Sequence, residues 1–164
     1  MFKKLLLFTI LITSIFSQEK EEFSFIGATL SQNFIPIENS SQKEETTFGF
    51  RYGQQSIDWR TMFSYEGNDG LQTIALEIDT IFNESLFDYE ELRLYLGGTY
   101  GGIKYKKVLE EKESKGKYYG VNVGFLLYFT DTIDIDIGYH YYKVSDFELL
   151  SNMKGVTLSL HYFY

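Results

Sequence analysis

Three segments in the last third of the chain alternate strictly between apolar residues and small or polar ones. The apolar positions are Tyr119, Val121, Val123, Phe125, Leu127 and Phe129, then Ile133, Ile135, Ile137, Tyr139 and Tyr141, and finally Val156, Leu158, Leu160, Tyr162 and Tyr164. A period of two places one residue set on each face of a β-strand. Each apolar set extends over about ten residues and ends in aromatics, as in membrane-spanning strands. The pattern therefore predicts a transmembrane β-barrel.

Five earlier segments show the same alternation and bring the number of strands to eight. They are Glu22–Gln32, Thr46–Gly53, Ile57–Glu66, Leu71–Thr80 and Asp88–Gly101. Only in the first segment does the sequence leave undecided which face points outward, because Phe23 and Phe25 on one face compete with Ile26 and Leu30 on the other. The longest connections are Asn33–Glu45, Gly102–Lys117 and Val144–Met153, and all three fall at the end opposite both termini. Long outer loops and an even strand number are typical of outer-membrane barrels. We predict an all-β fold, an eight-stranded antiparallel up-and-down transmembrane β-barrel.

The N-terminal segment has the organisation of a secretory signal peptide. Two lysines precede the apolar run Leu5–Phe16, and the small residue Ser17 lies near a plausible cleavage point. The run is shorter than the about 20 residues that a transmembrane helix needs, so we expect cleavage rather than retention as an anchor. The predicted domains are a signal peptide at 1–17 and an exported barrel at 18–164, located in the cell outer membrane.

Composition narrows the classes of function that are open to the chain. The net charge of −8 disfavours a nucleic-acid partner. The chain contains no cysteine, which excludes disulfides, thiolate metal sites and a lipoprotein anchor. A high aromatic content of 18% with a single proline suits long strands.

Two kinds of barrel could carry this alternation. A membrane barrel turns its apolar face to lipid, whereas a soluble lipocalin-like barrel turns it inward around a small ligand. The interior of an eight-stranded barrel is just wide enough to be filled by side chains, and the polar set, rich in Gly, Ser, Thr and Asp, has the smaller volume. The arginines, Arg51, Arg60 and Arg93, all lie on the polar face of predicted strands. A confined interior favours arginine, whose planar fork pairs with carboxylates, so we favour the membrane barrel.

The polar face places a group of charged residues in the inner half of the predicted lumen. The group consists of Arg51, Arg60, Glu77, Arg93, Asp134 and Asp136. We predict that the three arginines pair with Glu77 and Asp136, because an unpaired charge inside the barrel would cost several kcal/mol. Such a network would close the lumen to ions. The alternative is a narrow porin-like conduit for ions or small solutes.

Other polar and aromatic residues are explained more simply by structure than by chemistry. His140 and His161 face the lumen on different strands, where hydrogen bonding accounts for them, and we predict no catalytic, cofactor or metal site. The six lysines of Gly102–Lys117 could contact lipopolysaccharide or be solvated beside anionic headgroups. Outward aromatics near strand ends are predicted to form interfacial girdles. These are Trp59, Tyr65, Phe129, Tyr139, Tyr141, Tyr162 and Tyr164.

These features resemble the small eight-stranded outer-membrane barrels of the OmpA/OmpX type, often described as porin-family proteins of the Gram-negative cell envelope. The resemblance rests on the signal segment Met1–Ser17, the strand rhythm from Phe23 onward and the final strand. In that family the last strand ends on an aromatic residue after alternate apolar positions, and the barrel-assembly machinery reads this ending. The matching residues are Leu158, Leu160, Tyr162 and Tyr164.

The resemblance implies a non-enzymatic protein that stabilises the envelope or displays loops for adhesion or interaction. The expected partners are outer-membrane lipids, lipopolysaccharide and, during insertion, the barrel-assembly machinery. We expect a monomer with no cofactor and with no peptidoglycan-binding domain after the barrel. Some members modify lipid A with a Ser/His pair at the rim facing lipid, but neither His140 nor His161 faces outward in the predicted register.

Overall fold

The computed structural model describes residues 22–36, 43–83, 89, 91–106, 113–146 and 150–164. Within these ranges, eight strands form one closed antiparallel barrel in chain order. They are β1 (Phe23–Ile35), β2 (Lys43–Gln55), β3 (Trp59–Gly67), β4 (Leu71–Ile81), β5 (Leu92–Lys106), β6 (Glu113–Thr130), β7 (Ile133–Ser145) and β8 (Asn152–Phe163). The predicted fold class is confirmed. The predicted signal peptide lies outside the described residues, which include no helix long and apolar enough to cross a bilayer.

The barrel closes through the pairing of its first and last strands. On β1 and β8, Phe25 lies opposite Phe163 and Phe34 lies opposite Lys154. The ladder between β5 and β6 extends from the Leu92–Leu127 pair to the Lys106–Glu113 pair. Closure leaves no sheet edge with unpaired backbone groups, and this is the condition under which strands can lie in hydrocarbon.

The side chains alternate between the lumen and the outer surface as the sequence predicts. On β2, Phe48 is 66% exposed and Phe50 is 53% exposed, whereas Arg51, which points into the lumen from the same strand, is 6% exposed. On β1, whose faces were ambiguous in the sequence, Ile26 and Leu30 point outward. The large aliphatic and aromatic residues of the middle of each strand therefore cover the outside of the barrel. The lipocalin-like alternative is wrong, because it requires these side chains in the cavity.

The strands extend beyond the predicted limits at the end opposite the termini, which we call the loop end. There β5 continues to Lys106 and β6 already begins at Glu113. The loop-end connections are 36–42, 68–70, 107–112 and 146–151, so the predicted loops Asn33–Glu45, Gly102–Lys117 and Val144–Met153 are each too long. At the other, terminal end the connections are 56–58, 82–91 and 131–132. Among the intervals that separate the described strands, the longest, 82–91, lies at the terminal end, contrary to the predicted pattern of long outer loops.

The interior of the barrel is apolar at the loop end and polar toward the terminal end. Its largest apolar cluster consists of Ile35, Leu71, Ala75, Ile103, Tyr105, Tyr118, Tyr142, Val144, Leu150 and Met153. Two smaller clusters lie nearer the terminal end, Phe25 with Met62 and Phe163, and Ile81 with Tyr95 and Leu126. The sequence had indicated a lumen filled by small and polar residues throughout. Instead, apolar side chains fill the lumen at the loop end and form an apolar plug, and the charged residues lie between this plug and the terminal end.

Candidate functional site

A cluster of buried ion pairs crosses the lumen around Arg60 on β3. Its Nε donates to Asp79 Oδ2 of β4 at 2.8 Å, and its Nη2 lies 2.7 Å from the same oxygen. The same Nη2 is 2.9 Å from Asp136 Oδ2 on β7, which also accepts a hydrogen bond from Arg51 Nη1 of β2 at 3.0 Å. All four side chains are buried. The cluster therefore joins strands from both sides of the barrel through one shared carboxylate, Asp136.

Neutral groups complete the environment of this cluster. The Tyr95 hydroxyl donates to Asp136 Oδ1 at 2.8 Å, and the Arg60 guanidinium lies over the Tyr95 ring, 4.8 Å from its centre. Asn122 Nδ2 donates at 2.7 Å both to Asp79 Oδ1 and to Glu77 Oε1. These contacts supply additional hydrogen bonds to the buried carboxylates, whereas Arg51 Nε and Arg60 Nη1 have no hydrogen-bond partner among the described residues.

Glu77 enters the site in a way that the sequence did not predict. Among the described residues, its hydrogen bonds come from Asn122 and from Thr99, whose hydroxyl donates to Oε2 at 3.2 Å, and not directly from an arginine. The carboxylate is buried two residues from Asp79 on the same inward face of β4. Asn122 bridges the two acids and thereby connects Glu77 to the arginines indirectly.

Arg93 does not join the cluster, and the predicted network is wrong in this respect. Its Nη1 donates to Asn83 Oδ1 at 2.8 Å, and its guanidinium lies over the Tyr128 ring at 5.5 Å. The physical reason is the start of β5, which was predicted at Asp88 and lies at Leu92. Arg93 is therefore the second residue of the strand and sits at the terminal rim, where it is only half-buried.

The two histidines are buried hydrogen-bonding residues of the lumen. His161 Nδ1 lies 2.8 Å from Asp134 Oδ1, so Asp134 contacts a histidine and not an arginine. His140 Nε2 lies 3.0 Å from Asn33 Oδ1, and its ring stacks on Tyr142 with 4.6 Å between ring centres. Both rings face inward, so neither can form a Ser/His pair directed at lipid.

The predicted girdle residues divide between the two ends of the barrel. Phe129, Tyr162 and Tyr164 are exposed at the terminal end, and the half-buried Trp59 lies at the same end on β3. Tyr65 and Tyr141 lie toward the loop end, whereas Tyr139 lies at the middle of β7. The prediction omitted three further exposed tyrosines of the described strands, Tyr52, Tyr100 and Tyr119. Alternation could have identified them, since each occupies an outward position of its strand.

The space enclosed between the charged residues and the apolar cluster of the loop end is small. A cavity of about 20 Å³ lies between the charged residues and the apolar plug of the loop end, and its lining includes Arg51, Glu77, His140 and Met153. A cavity needs roughly 10–15 Å³ to hold one water molecule. The cavity therefore has room for about one water and not for a hydrated ion with its shell.

Comparisons with known proteins support the architecture through structure alone. No protein-family model and no curated protein matches the chain. Among solved structures, the chain is similar to Neisserial surface protein A, with a TM-score of 0.66 and 12% identity over 86% of this chain and 97% of that one.

Two proteins of Pseudomonas aeruginosa show the same likeness. Outer membrane protein H (OprH), solved in DHPC micelles, has a TM-score of 0.63 and 19% identity, with coverage of 87% of this chain and 99% of that one. The N-terminal β-barrel domain of OprF has a TM-score of 0.56 and 11% identity, with coverage of 88% and 100%. At these identities the likeness concerns the fold. The chain therefore has the fold of the small eight-stranded outer-membrane β-barrels.

Proposed function

We propose that the chain is a non-enzymatic outer-membrane protein whose closed barrel anchors short loops at the cell surface and contributes to envelope integrity or adhesion. One observation carries this proposal: the barrel is apolar outside and filled inside. Such a molecule is built to be embedded in lipid and to hold its loop end in place, rather than to pass or enclose a solute.

The outer surface supports placement in a membrane. Exposed leucine, isoleucine, valine and aromatic side chains follow one another around the middle of the barrel, and they include Leu76, Ile78, Val121, Leu158 and Leu160. Soluble monomers rarely expose a contiguous apolar patch larger than a few hundred Å². The alternating outward residues Leu158, Leu160 and Tyr162 of β8 support delivery to the outer membrane by the barrel-assembly machinery.

The interior argues against the conduit alternative. Arg51 and Arg60 cross the lumen to the shared carboxylate of Asp136, and the apolar cluster of the loop end lies above them. An ion would have to break buried ion pairs and enter an apolar layer, and each buried charge left unpaired costs several kcal/mol. We therefore favour the closed scaffold over a narrow pore.

Cell fractionation, a heat-modifiability gel and planar-bilayer recording together test this proposal. We expect the protein in the outer-membrane fraction, a folded band that shifts on boiling, and no steady channel conductance after reconstitution. A protein that is monomeric in buffer without detergent would contradict membrane placement. Reproducible single-channel steps would favour the conduit instead.

A further inference from the structure

A pocket of about 230 Å³ lies in the mouth of the barrel at the terminal end, and we refer to it as the mouth pocket. Its lining consists of Phe23, Gln55, Ser56, Ile57, Arg93, Tyr128, Asp131 and Phe163. The four side chains of the buried ion pairs do not belong to this lining. The mouth of a β-barrel is a preferred position for small-molecule sites, so the chemistry of the lining indicates what the pocket can bind.

A hydrogen bond between opposite walls of the barrel forms the floor of the mouth pocket. Gln55 Nε2, at the end of β2, donates to the Tyr128 hydroxyl of β6 at 2.9 Å. Tyr128 packs against the apolar cluster of Ile81, Tyr95 and Leu126 below it. The mouth pocket is therefore a site that opens to the terminal side, and not the entrance of a passage through the lumen.

One wall of the mouth pocket is apolar although it lies at the open rim. Phe23 is two residues from the buried Phe25 and shares its inward face, yet it is 51% exposed because it is the first residue of β1. Ile57, in the turn 56–58, is 58% exposed. An apolar group that covers these two side chains removes their surface and its own from water, which favours binding.

Two groups of opposite charge complete the lining. The Arg93 guanidinium donates from Nη1 to Asn83 and lies over the Tyr128 ring, and it has further N–H donors. Asp131 lies exposed in the turn 131–132, three residues after Tyr128. Among the described residues, no carboxylate pairs with Arg93 and no cation pairs with Asp131, in contrast to Arg51 and Arg60 with their aspartates. Both charges are thus left for a ligand.

We propose that the mouth pocket binds the zwitterion of a free α-amino acid with an apolar side chain. The carboxylate pairs with Arg93, the ammonium group pairs with Asp131, and the side chain covers Phe23 and Ile57. Arginine is suited to this role because its planar fork can hold a carboxylate with two parallel hydrogen bonds. The volume of the pocket is below the about 300–1,000 Å³ of sites for larger ligands, as expected for a single amino acid.

This inference goes beyond the proposed function, because a barrel that only anchors loops has no use for a ligand on its terminal side. It rests on the proposed placement in one respect. In an outer-membrane barrel with short inner turns, the terminal end faces the periplasm, and the ligand comes from there.

The test uses the protein refolded in dodecyl maltoside micelles and titrated with L-leucine, which carries both charges and an aliphatic side chain. We expect saturable amide shifts in NMR spectra at the turns 56–58 and 131–132 and at the start of β5. Arg93→Gln and Asp131→Asn should each weaken the binding of L-leucine at least tenfold, since each removes a hydrogen bond between charged groups.

Analogues of leucine assign each charge of the ligand to its partner. Leucinamide lacks the carboxylate, so Arg93→Gln should not weaken its binding. N-acetyl-leucine lacks the ammonium group, so Asp131→Asn should not weaken its binding. The wild-type protein should bind both analogues, and also L-serine, at least tenfold more weakly than L-leucine. The wild-type measurements test the inference even where a variant fails to fold.

Lys106→Gln and Asp69→Asn are the matched controls, because they remove the same charges from exposed positions at the loop end. We expect both to bind L-leucine within twofold of wild type. Equal affinity of Arg93→Gln and wild type for L-leucine, or equal losses in the controls and the pocket variants, would overturn the inference. Equally tight binding of N-acetyl-leucine and L-leucine by the wild type would also overturn it, in favour of the carboxyl end of a peptide.

Folding is checked for every variant by the heat-modifiability gel in the same micelles. A folded wild-type barrel without saturable binding of L-leucine contradicts the mouth pocket and leaves the proposed function intact. Saturable binding by a protein that is absent from the outer-membrane fraction contradicts the proposed function and supports the mouth pocket.

Discussion

Replacing Arg60 with methionine tests whether the buried ion pairs hold the barrel together. Methionine keeps much of the length of the side chain and removes the guanidinium. Asp79 then loses both its hydrogen bond from Nε and its contact with Nη2, although Asn122 still donates to it. Asp136 keeps Arg51 and Tyr95 as partners. The main result of the substitution is therefore one buried carboxylate without its cation.

The expected loss follows from the burial of both partners. The side chains of Arg60 and Asp79 are both 0% exposed, so solvent cannot compensate the remaining charge. Removing one partner of a buried pair costs about 3–5 kcal/mol. The double variant Arg60→Met, Asp79→Asn removes both charges, and we expect it to recover at least half of this loss.

Urea unfolding of the refolded protein in phosphatidylcholine vesicles measures these free energies. Arg93→Ala is the control, since that arginine lies half-buried at the terminal rim with Asn83 and Tyr128, and we expect it to cost less than about 1 kcal/mol. The reasoning is refuted if Arg60→Met lies within 1 kcal/mol of wild type. It is also refuted if Arg93→Ala destabilises as strongly as Arg60→Met.

Three further substitutions probe the interior; the unfolding assay measures Tyr95→Phe and Met153→Ala, and the folded band of the heat-modifiability gel measures Gly97→Ala. Tyr95→Phe removes the hydrogen bond to the shared aspartate while keeping the ring, and it should cost about 1.5–3 kcal/mol; no change would mean that the hydroxyl is dispensable. Gly97→Ala should lower folding yield, because the new Cβ would collide with Asp79 Oδ1, whereas Gly98→Ala on the outer face has open space and should fold like wild type. Met153→Ala in the loop-end plug should cost about 2–5 kcal/mol, and a near-neutral result would show that the plug is loosely packed.

The fold was predictable because alternation survives in every strand. The apolar plug was missed because the alternation changes phase near the loop end. Along β5, Leu96 is outward and apolar, but further on the outward residues are Lys104 and Lys106 while Ile103 and Tyr105 fill the lumen. A search for outward apolar residues therefore assigns this stretch to a loop. The correct criterion there is an apolar inner face beneath a charged outer one.

Which residues belong to the charged site was easier to predict than which of them pair with each other. The inward position of Arg51, Arg60 and Asp136 follows from each strand separately. Which arginine reaches which acid depends on the stagger of the closed barrel, and that stagger is a property of all strands together. Arg93 illustrates the sensitivity of such a prediction, since a four-residue error in the start of one strand moves a side chain from the site to the rim.

The sharing of Asp136 has a consequence for the order in which the barrel can assemble. The two arginines that it neutralises belong to β2 and β3, but Asp136 itself is supplied by β7, more than seventy residues later. Until that late segment arrives, the early hairpins carry cationic groups without their full set of counter-ions and are poorly suited to hydrocarbon. Insertion is therefore expected to be concerted, with N-terminal fragments remaining at the water interface until the C-terminal hairpin completes the ring.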